Sequence, residues 1–177
     1  FDPERDAKLM ARVTQGDRDA FEELYDLYGG AIAKFFYHLT WDRQVVEDGV
    51  QEVFLRLWRG ARHWRPTGKF STYLFQIAKN YWINERAKQS RRIRPISLRE
   101  DDDDGGSPLD GLAVDGGGGP EGDALRREMA DDIRRAVSRL SEKLRLTFIL
   151  SEYQGMKYAE VAEVLDIPVG TVKSRMS

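Results

Sequence analysis

Tyr158-Ala159-Glu160-Val161-Ala162, then Asp166-Ile167-Pro168, then Thr171-Val172-Lys173-Ser174-Arg175 is the stretch that decides the fold. It opens with a helix-period run containing a small residue, Ala162. Asp166-Ile167-Pro168 breaks that run, and Val172 restarts an apolar face flanked by Thr171, Lys173, Ser174 and Arg175. This is the build of a helix-turn-helix. Its second helix must fit a major groove, which calls for a tight turn, a small residue where two helices touch, and polar or basic residues early on the second helix. Val172 and Met176 are expected to face the core. Asp166 stands where such turns often carry glycine, and aspartate tolerates the left-handed conformation better than most residues. The second helix runs to the last residue, Ser177, and is expected to be cut short there.

Outward from this segment, composition divides the 177-residue chain into three blocks. Residues 1–94 are rich in aromatics and helix formers. Residues 95–127 hold Asp101–Asp104, Gly105–Gly106 and Gly116–Gly119, with few large apolar side chains. Such a segment cannot bury enough surface to offset its ordering entropy, and it reads as a flexible acidic, glycine-rich linker. Residues 128–177 are again helical in pattern. The fold class is therefore all-α, with two small helical domains on a tether and no strand-like alternation.

Four helices are expected in the first block. Arg5–Gln15 is short and amphipathic. Asp17 or Asp19 caps a second helix bearing Phe21, Leu24, Tyr25, Tyr28, Ile32, Phe35, Phe36 and Leu39 at helical spacing. Gly29–Gly30 inside it points to a kink or a close contact. Asp42 opens a third helix with Val46, Val50, Val53, Phe54, Leu57 and Trp58. Ser71 is the expected cap of a fourth, with Leu74, Ile77, Ala78, Tyr81 and Trp82, running to about Arg92. The last block predicts helices near Ala124–Arg139 and from Ser141, a natural N-cap, to about Tyr153.

Charge is partitioned unevenly. Residues 1–55 carry a net −6, residues 56–94 a net +10, residues 95–127 a net −6, and residues 128–177 are neutral. An overall charge of −2 thus conceals one strongly basic stretch, and Lys and Arg that neutralise phosphates release counterions. The same stretch holds Trp58, Trp64, Phe70, Tyr73, Phe75, Tyr81 and Trp82, with Asn80 and Asn84. Aromatic faces, amides and cations together suit unstacked single-stranded bases. Aromatics at helical spacing also build cores, and Trp58, Leu74 and Trp82 fit that role best. Lys69–Tyr73 and Asn80 are better placed to face a ligand, in or just after the loop from Arg62 to Lys69.

There is no cysteine, which leaves no disulfide, thiolate metal site or thiol switch in the chain and fits a reducing compartment. No apolar run approaches the roughly 20 residues of a membrane span. The start at Phe1 suggests a trimmed N-terminus, and no secretory signal is visible. A cytoplasmic protein without membrane insertion is expected. Neither His38 nor His63 has a partner at metal-ligand spacing, and consecutive aspartates do not converge on one ion without a folded loop. No cofactor, metal or catalytic residue is expected.

Three segments resemble one known family. Val45-Val46-Glu47-Asp48-Gly49-Val50-Gln51-Glu52-Val53-Phe54-Leu55-Arg56-Leu57-Trp58 is similar to the polymerase-binding helix of bacterial sigma factors of the small extracytoplasmic-function group. Phe70-Ser71-Thr72-Tyr73-Leu74-Phe75-Gln76-Ile77-Ala78-Lys79-Asn80 resembles the promoter-melting helix of that family. The third match runs from Leu140-Ser141-Glu142-Lys143 through the helix-turn-helix. A helix-turn-helix alone is a weak signal, whereas three matching blocks in order are a specific one.

The resemblance implies a non-catalytic specificity subunit that docks on core RNA polymerase and selects promoters. Residues 1–94 would be its region 2, 95–127 the linker and 128–177 its region 4. Asp48, Gln51, Glu52, Phe54 and Leu55 would bind the clamp of the polymerase largest subunit, an acidic face with an aromatic anchor. Gly49 departs from the bulkier residue often found there. Lys69, Ser71, Thr72 and Asn80 would read and hold the opened −10 strand, with Arg86, Lys88, Arg91 and Arg92 on phosphates. Thr171, Lys173, Ser174 and Arg175 would meet the −35 element. Asp101–Asp104 reads either as a solubilising tether or as a nucleic-acid mimic in the polymerase channel. An anti-sigma protein is a further implied partner. Two other readings stand beside this one. A free-standing regulator would not need the basic aromatic block, and a nuclease would need a metal site that the histidines do not supply.

Overall fold

The computed structural model describes residues 2–92 and 120–177, with side chains at 2–91 and 129–177. The expectations for residues 93–119, including the acidic run Asp101–Asp104, lie outside the described residues. Among the described residues every regular element is helical, as the pattern predicts. They are α1 (Pro3–Val13), α2 (Arg18–Thr40), α3 (Arg43–Gly60), α4 (Phe70–Arg92), α5 (Pro120–Arg139), α6 (Glu142–Phe148), α7 (Tyr158–Leu165) and α8 (Val169–Met176). A 3₁₀ turn, Ala61–His63, follows α3, and a π turn, Ile149–Tyr153, continues α6.

Short acceptors start the first three helices. Asp2 accepts from the backbone N–H of Glu4 and Arg5, Asp17 from Ala20, and Asp42 from Gln44 and Val45. Each satisfies donors that a helix start leaves open, worth about 1 kcal/mol per cap. Three expectations are corrected here. Helix α4 starts at Phe70, so Ser71 lies inside its first turn rather than capping it. Ser141 occupies the cap position of α6 but its side chain makes no capping bond. Helix α5 begins at Pro120, earlier than Ala124 and within the span read as linker. Helix α2 runs unbroken through Gly29–Gly30. A Cβ on Gly29 would meet the Tyr25 ring at an ordinary 3.7 Å and one on Gly30 would meet nothing, so packing requires neither glycine.

Helix α2 forms the axis of the core, with Tyr28, Ile32, Phe35 and Phe36 fully buried. Met10 of α1, Val53 and Leu57 of α3, and Leu74 and Phe75 of α4 close around it. Edge-to-face ring pairs join the helices: Phe35 with Phe75 at 5.6 Å, Tyr28 with Phe70 at 5.1 Å, and Phe36 with Tyr81 at 5.8 Å. Each ring contributes about 1.5–3 kcal/mol by burial and somewhat more by its pairing. Leu74 and Trp82 are core as expected, while Trp58 is only half-buried. Gly49 is required by the packing. A Cβ there would lie 2.8 Å from the Phe36 ring, so glycine lets α3 close on α2.

Leu146, Ile149, Leu150, Val161, Val164 and Val172 form the smaller apolar centre of α6–α8, and it is continuous with the first. The chain leaves α2 through Trp41, held at φ +59°, and leaves α7 through Asp166 at φ +56°. The second is the left-handed aspartate that the turn requires. The first has no turn signal in the sequence.

Candidate nucleic-acid and partner interfaces

Helix α3 presents Asp48, Gln51 and Leu55 on one exposed stripe, as i, i+3 and i+7 spacing dictates. Glu52 is half-buried beside them and accepts from Arg56 Nε at 2.7 Å. Phe54 is not an exposed anchor. It is 2% exposed and packs edge-on to Tyr25 at 4.8 Å and Phe21 at 6.1 Å. The stripe borders an open apolar groove of about 1010 Å³ between α2 and α3, with Phe54 in its wall. Leu55 and Tyr25 supply the exposed apolar surface at this groove. Tyr25 was legible only as one member of the α2 apolar stripe, and nothing in that spacing marks it as exposed. Arg18, Glu22, Asp26 and Glu47 also line the groove, so its charge is mostly acidic.

The second surface is the basic side of α4 and the loop before it. Lys69 and Asn80 are exposed. Ser71 and Thr72 point inward instead, at 8% and 4% exposure, and Thr72 Oγ1 has no hydrogen-bond partner among the described residues. Further along, the Arg86 guanidinium lies over the Trp82 ring at 5.7 Å, Lys88 pairs with Glu85 at 2.6 Å, and Arg91 donates to the Ala87 carbonyl at 3.3 Å. The Arg92 side chain lies outside the described residues. The loop adds Arg62, His63 and Arg65, all exposed, beside a half-buried Trp64. Arg62 and Arg65 belong to the basic stretch, but loop residues carry no periodicity to orient them. Arg56 lies between α3 and α4, in the same pocket as Lys88. It is held between Glu52 and the Tyr81 ring, 5.2 Å from its centroid.

The third surface is the helix-turn-helix. The Ile167 N–H donates to the Ala162 carbonyl across the turn at 3.1 Å, and Val172 is fully buried against α7 and α6. Lys173 and Ser174 are exposed, with Ser174 Oγ donating to the Thr171 carbonyl. Thr171 and Arg175 are half-buried, and Arg175 Nη1 donates to Thr147 Oγ1 at 3.3 Å. Of the four residues expected to meet a groove, Lys173 and Ser174 thus face outward most fully.

The second and third surfaces meet. Lys69 Nζ donates to Glu160 Oε1 at 2.5 Å, and Gln76 Nε2 donates to the Glu163 carbonyl at 3.0 Å. Burial pushes the Glu160 carboxyl up, but its bonds from Lys69 and from the Lys157 N–H outweigh that and hold it below the usual carboxylate range. His38, pushed down by burial, stacks on Tyr153 with ring centroids 3.7 Å apart. Among the described residues, no group of three or more His, Cys, Asp or Glu could hold a metal ion. No helix there is long and apolar enough to cross a membrane.

Comparison with known proteins gives a consistent picture. The sigma-70 region 2 family model matches residues 24–92 and the sigma-70 region 4 model matches residues 130–177. The chain is 31% identical over 176 residues to the RNA polymerase sigma-H factor of Pseudomonas aeruginosa, covering 98% of this chain and 89% of that protein. It is 33% identical over 171 residues to the ECF RNA polymerase sigma-E factor of Escherichia coli strain K12, covering 97% and 88%. In fold it is similar to CnrH, solved in complex with the cytosolic domain of CnrY, with a TM-score of 0.68 at 23% identity over 97% of this chain and 90% of that one. It is also similar to the sigma factor RpoE of Bartonella quintana, solved with the anti-sigma factor NepR, with a TM-score of 0.62 at 22% identity over 88% of each chain.

Proposed function

The chain belongs to the extracytoplasmic-function group of the sigma-70 family, and from that premise we infer how its three surfaces divide the work of promoter-specific initiation. It is a specificity subunit that binds core RNA polymerase and promoter DNA, with no catalysis of its own. Residues 1–94 act as region 2 and residues 128–177 as region 4, with 95–127 between them.

The observation that carries the docking assignment is the α3 stripe of Asp48, Gln51 and Leu55 beside an acidic-rimmed apolar groove. A basic helical partner such as the polymerase clamp would seat an apolar residue against Leu55 and Tyr25 and pair its cations with Asp48 and Glu52. Phe54 supports the groove from within. The basic side of α4 receives the opened −10 strand. Lys69 and Asn80 lie toward its bases, and Arg86, Lys88, Arg91 and Arg92 lie along its phosphates. Ser71 and Thr72 contribute once their surroundings open. Lys173 and Ser174 meet the −35 groove first, and Thr171 and Arg175 join from its edge. The protein acts in the cytoplasm, where polymerase and DNA are. Regulation by an anti-sigma protein is supported by the two similar folds, each solved with a bound partner.

In vitro transcription with core polymerase over a promoter library tests this reading. Initiation confined to a subset of promoters sharing −10 and −35 sequences is expected. Asp48→Arg with Leu55→Asp should abolish recovery of core polymerase. No promoter-specific initiation by the parent chain would overturn the assignment.

A further inference from the structure

The strand-reading side of α4 and the helix-turn-helix are partners in this structure. Helix α4 packs along α7, with Lys69 bound to Glu160 and Gln76 bound to the Glu163 carbonyl. Between them lies a small polar cavity of about 230 Å³, lined by Asp6, Lys69, Ser71, Gln154, Lys157 and Glu160 among others. Buried polar atoms without partners among the described residues, Thr72 Oγ1 and Gln154 Nε2, lie in these same segments. A second grip holds the seam at the end of α2. There His38 stacks on Tyr153, Arg145 Nη1 donates to the Leu39 carbonyl at 3.4 Å, and the Arg134 guanidinium stands 5.3 Å from the Trp41 ring centre. Trp41 adopts its left-handed backbone where it meets Arg134.

We propose that the helix-turn-helix module is an intramolecular cover for the −10-reading face, with Glu160 occupying at Lys69 the place of a DNA phosphate. This rests on the reading of α4 given above. A carboxylate on a lysine ammonium makes the charge-assisted bond that a phosphate oxygen would make, so the two exclude one another. Ser71 and Lys69 line the small pocket of about 230 Å³ left at the seam, which is too small to hold a nucleotide while α7 is in place. The seam also leaves polar atoms unsatisfied, and its ion pair is partly exposed and worth little net. Such an interface is reversible, and a partner that binds the open form only must open it. Affinity for single-stranded DNA is then reduced by the fraction of closed chain.

The test uses Glu160→Gln and His38→Ala. Glutamine preserves the bond from the Lys157 N–H that Glu160 accepts within α7, so the helix keeps its start while the charge on Lys69 is lost. His38 lies at the far grip and outside the DNA-reading residues. The chain has no cysteine, so spin labels placed through Lys8→Cys and Lys143→Cys report only the distance between the modules. A single short distance is expected for the parent, and a longer, broader one for either variant and for the parent on core polymerase. Fluorescence anisotropy with a mixed-sequence single-stranded 20-mer pool should show about fivefold tighter binding for each variant. Adding Lys69→Ala to Glu160→Gln should remove that gain. A long, broad distance in the free parent, or no gain in binding by either variant, would overturn the proposal. Promoter-specific transcription by the parent holoenzyme is read separately, so its failure would indict the functional assignment and not the closure.

Discussion

Helices α1–α4 and helices α5–α8 solve the same folding problem with unequal means. Of the bulkiest fully buried side chains among the described residues, only Ile149 and Leu150 belong to the second set. The first set surrounds α2 with rings and carries both the α3 stripe and the basic side of α4 on one packed core. The second has three short helices, α6–α8, after the longer α5, with a π turn and a thin aliphatic centre, and it completes its burial against the first. The lesson is that a platform can stand alone, whereas a module that must change partners is built to borrow surface.

The sharpest way to break this comparison is Phe36→Ala. Phe36 is fully buried, pairs with Phe35 and Tyr81, and underlies Gly49. Its loss should cost about 3–5 kcal/mol in chemical denaturation and melt both modules together. Ile149→Ala comes next, at about 2–4 kcal/mol. Amide exchange should then rise across α6–α8 while α2 and α3 stay protected. Uniform loss of protection in both variants would mean that the platform does not stand alone. Gly49→Ala gains helix propensity but forces a methyl group 2.8 Å from the fully buried Phe36 ring, for a net cost of about 1–2 kcal/mol. An unchanged midpoint would show that α3 can shift on α2.

How much of this was legible follows the same division. The periodicity of α2 and α3 placed Ile32, Phe35, Phe36, Val53 and Leu57 in the core, because a long amphipathic helix states its buried face. Asp166-Ile167-Pro168 located the helix-turn-helix, and the left-handed aspartate is there. The site residues were less legible. Phe54, Ser71 and Thr72 belong to matching motifs, but their exposure depends on which neighbours α2 and α7 bring. Spacing within one helix cannot supply that. Tyr25 is exposed for the converse reason, since α2 turns that position to the rim of the groove. The seam was invisible altogether. Lys69 and Glu160 are far apart in sequence, and nothing local to either predicts their meeting.

The smallest expected effect concerns the one buried carboxylate of the platform among the described residues. Asp6 is 3% exposed and accepts a hydrogen bond from the Tyr28 hydroxyl. Burial pushes its carboxyl above the ordinary value of 3.8, and the bond from Tyr28 only partly offsets this. The folded chain therefore holds this proton more tightly than the unfolded chain. The stability it contributes is fully present below 3.8 and is lost as pH rises through the folded value. At neutral pH the platform carries the cost of an ionised Asp6. Asp6→Asn keeps an oxygen for Tyr28 and removes the charge, so it should stabilise the chain by about 1 kcal/mol at pH 7. The advantage should vanish as the pH is lowered through the acid range. Thermal melts of both chains from pH 3 to pH 7 read the difference directly. If the variant is less stable than the parent at pH 7, the ionised carboxylate is itself a stabilising acceptor, and the platform tolerates a buried charge better than its aromatic core suggests.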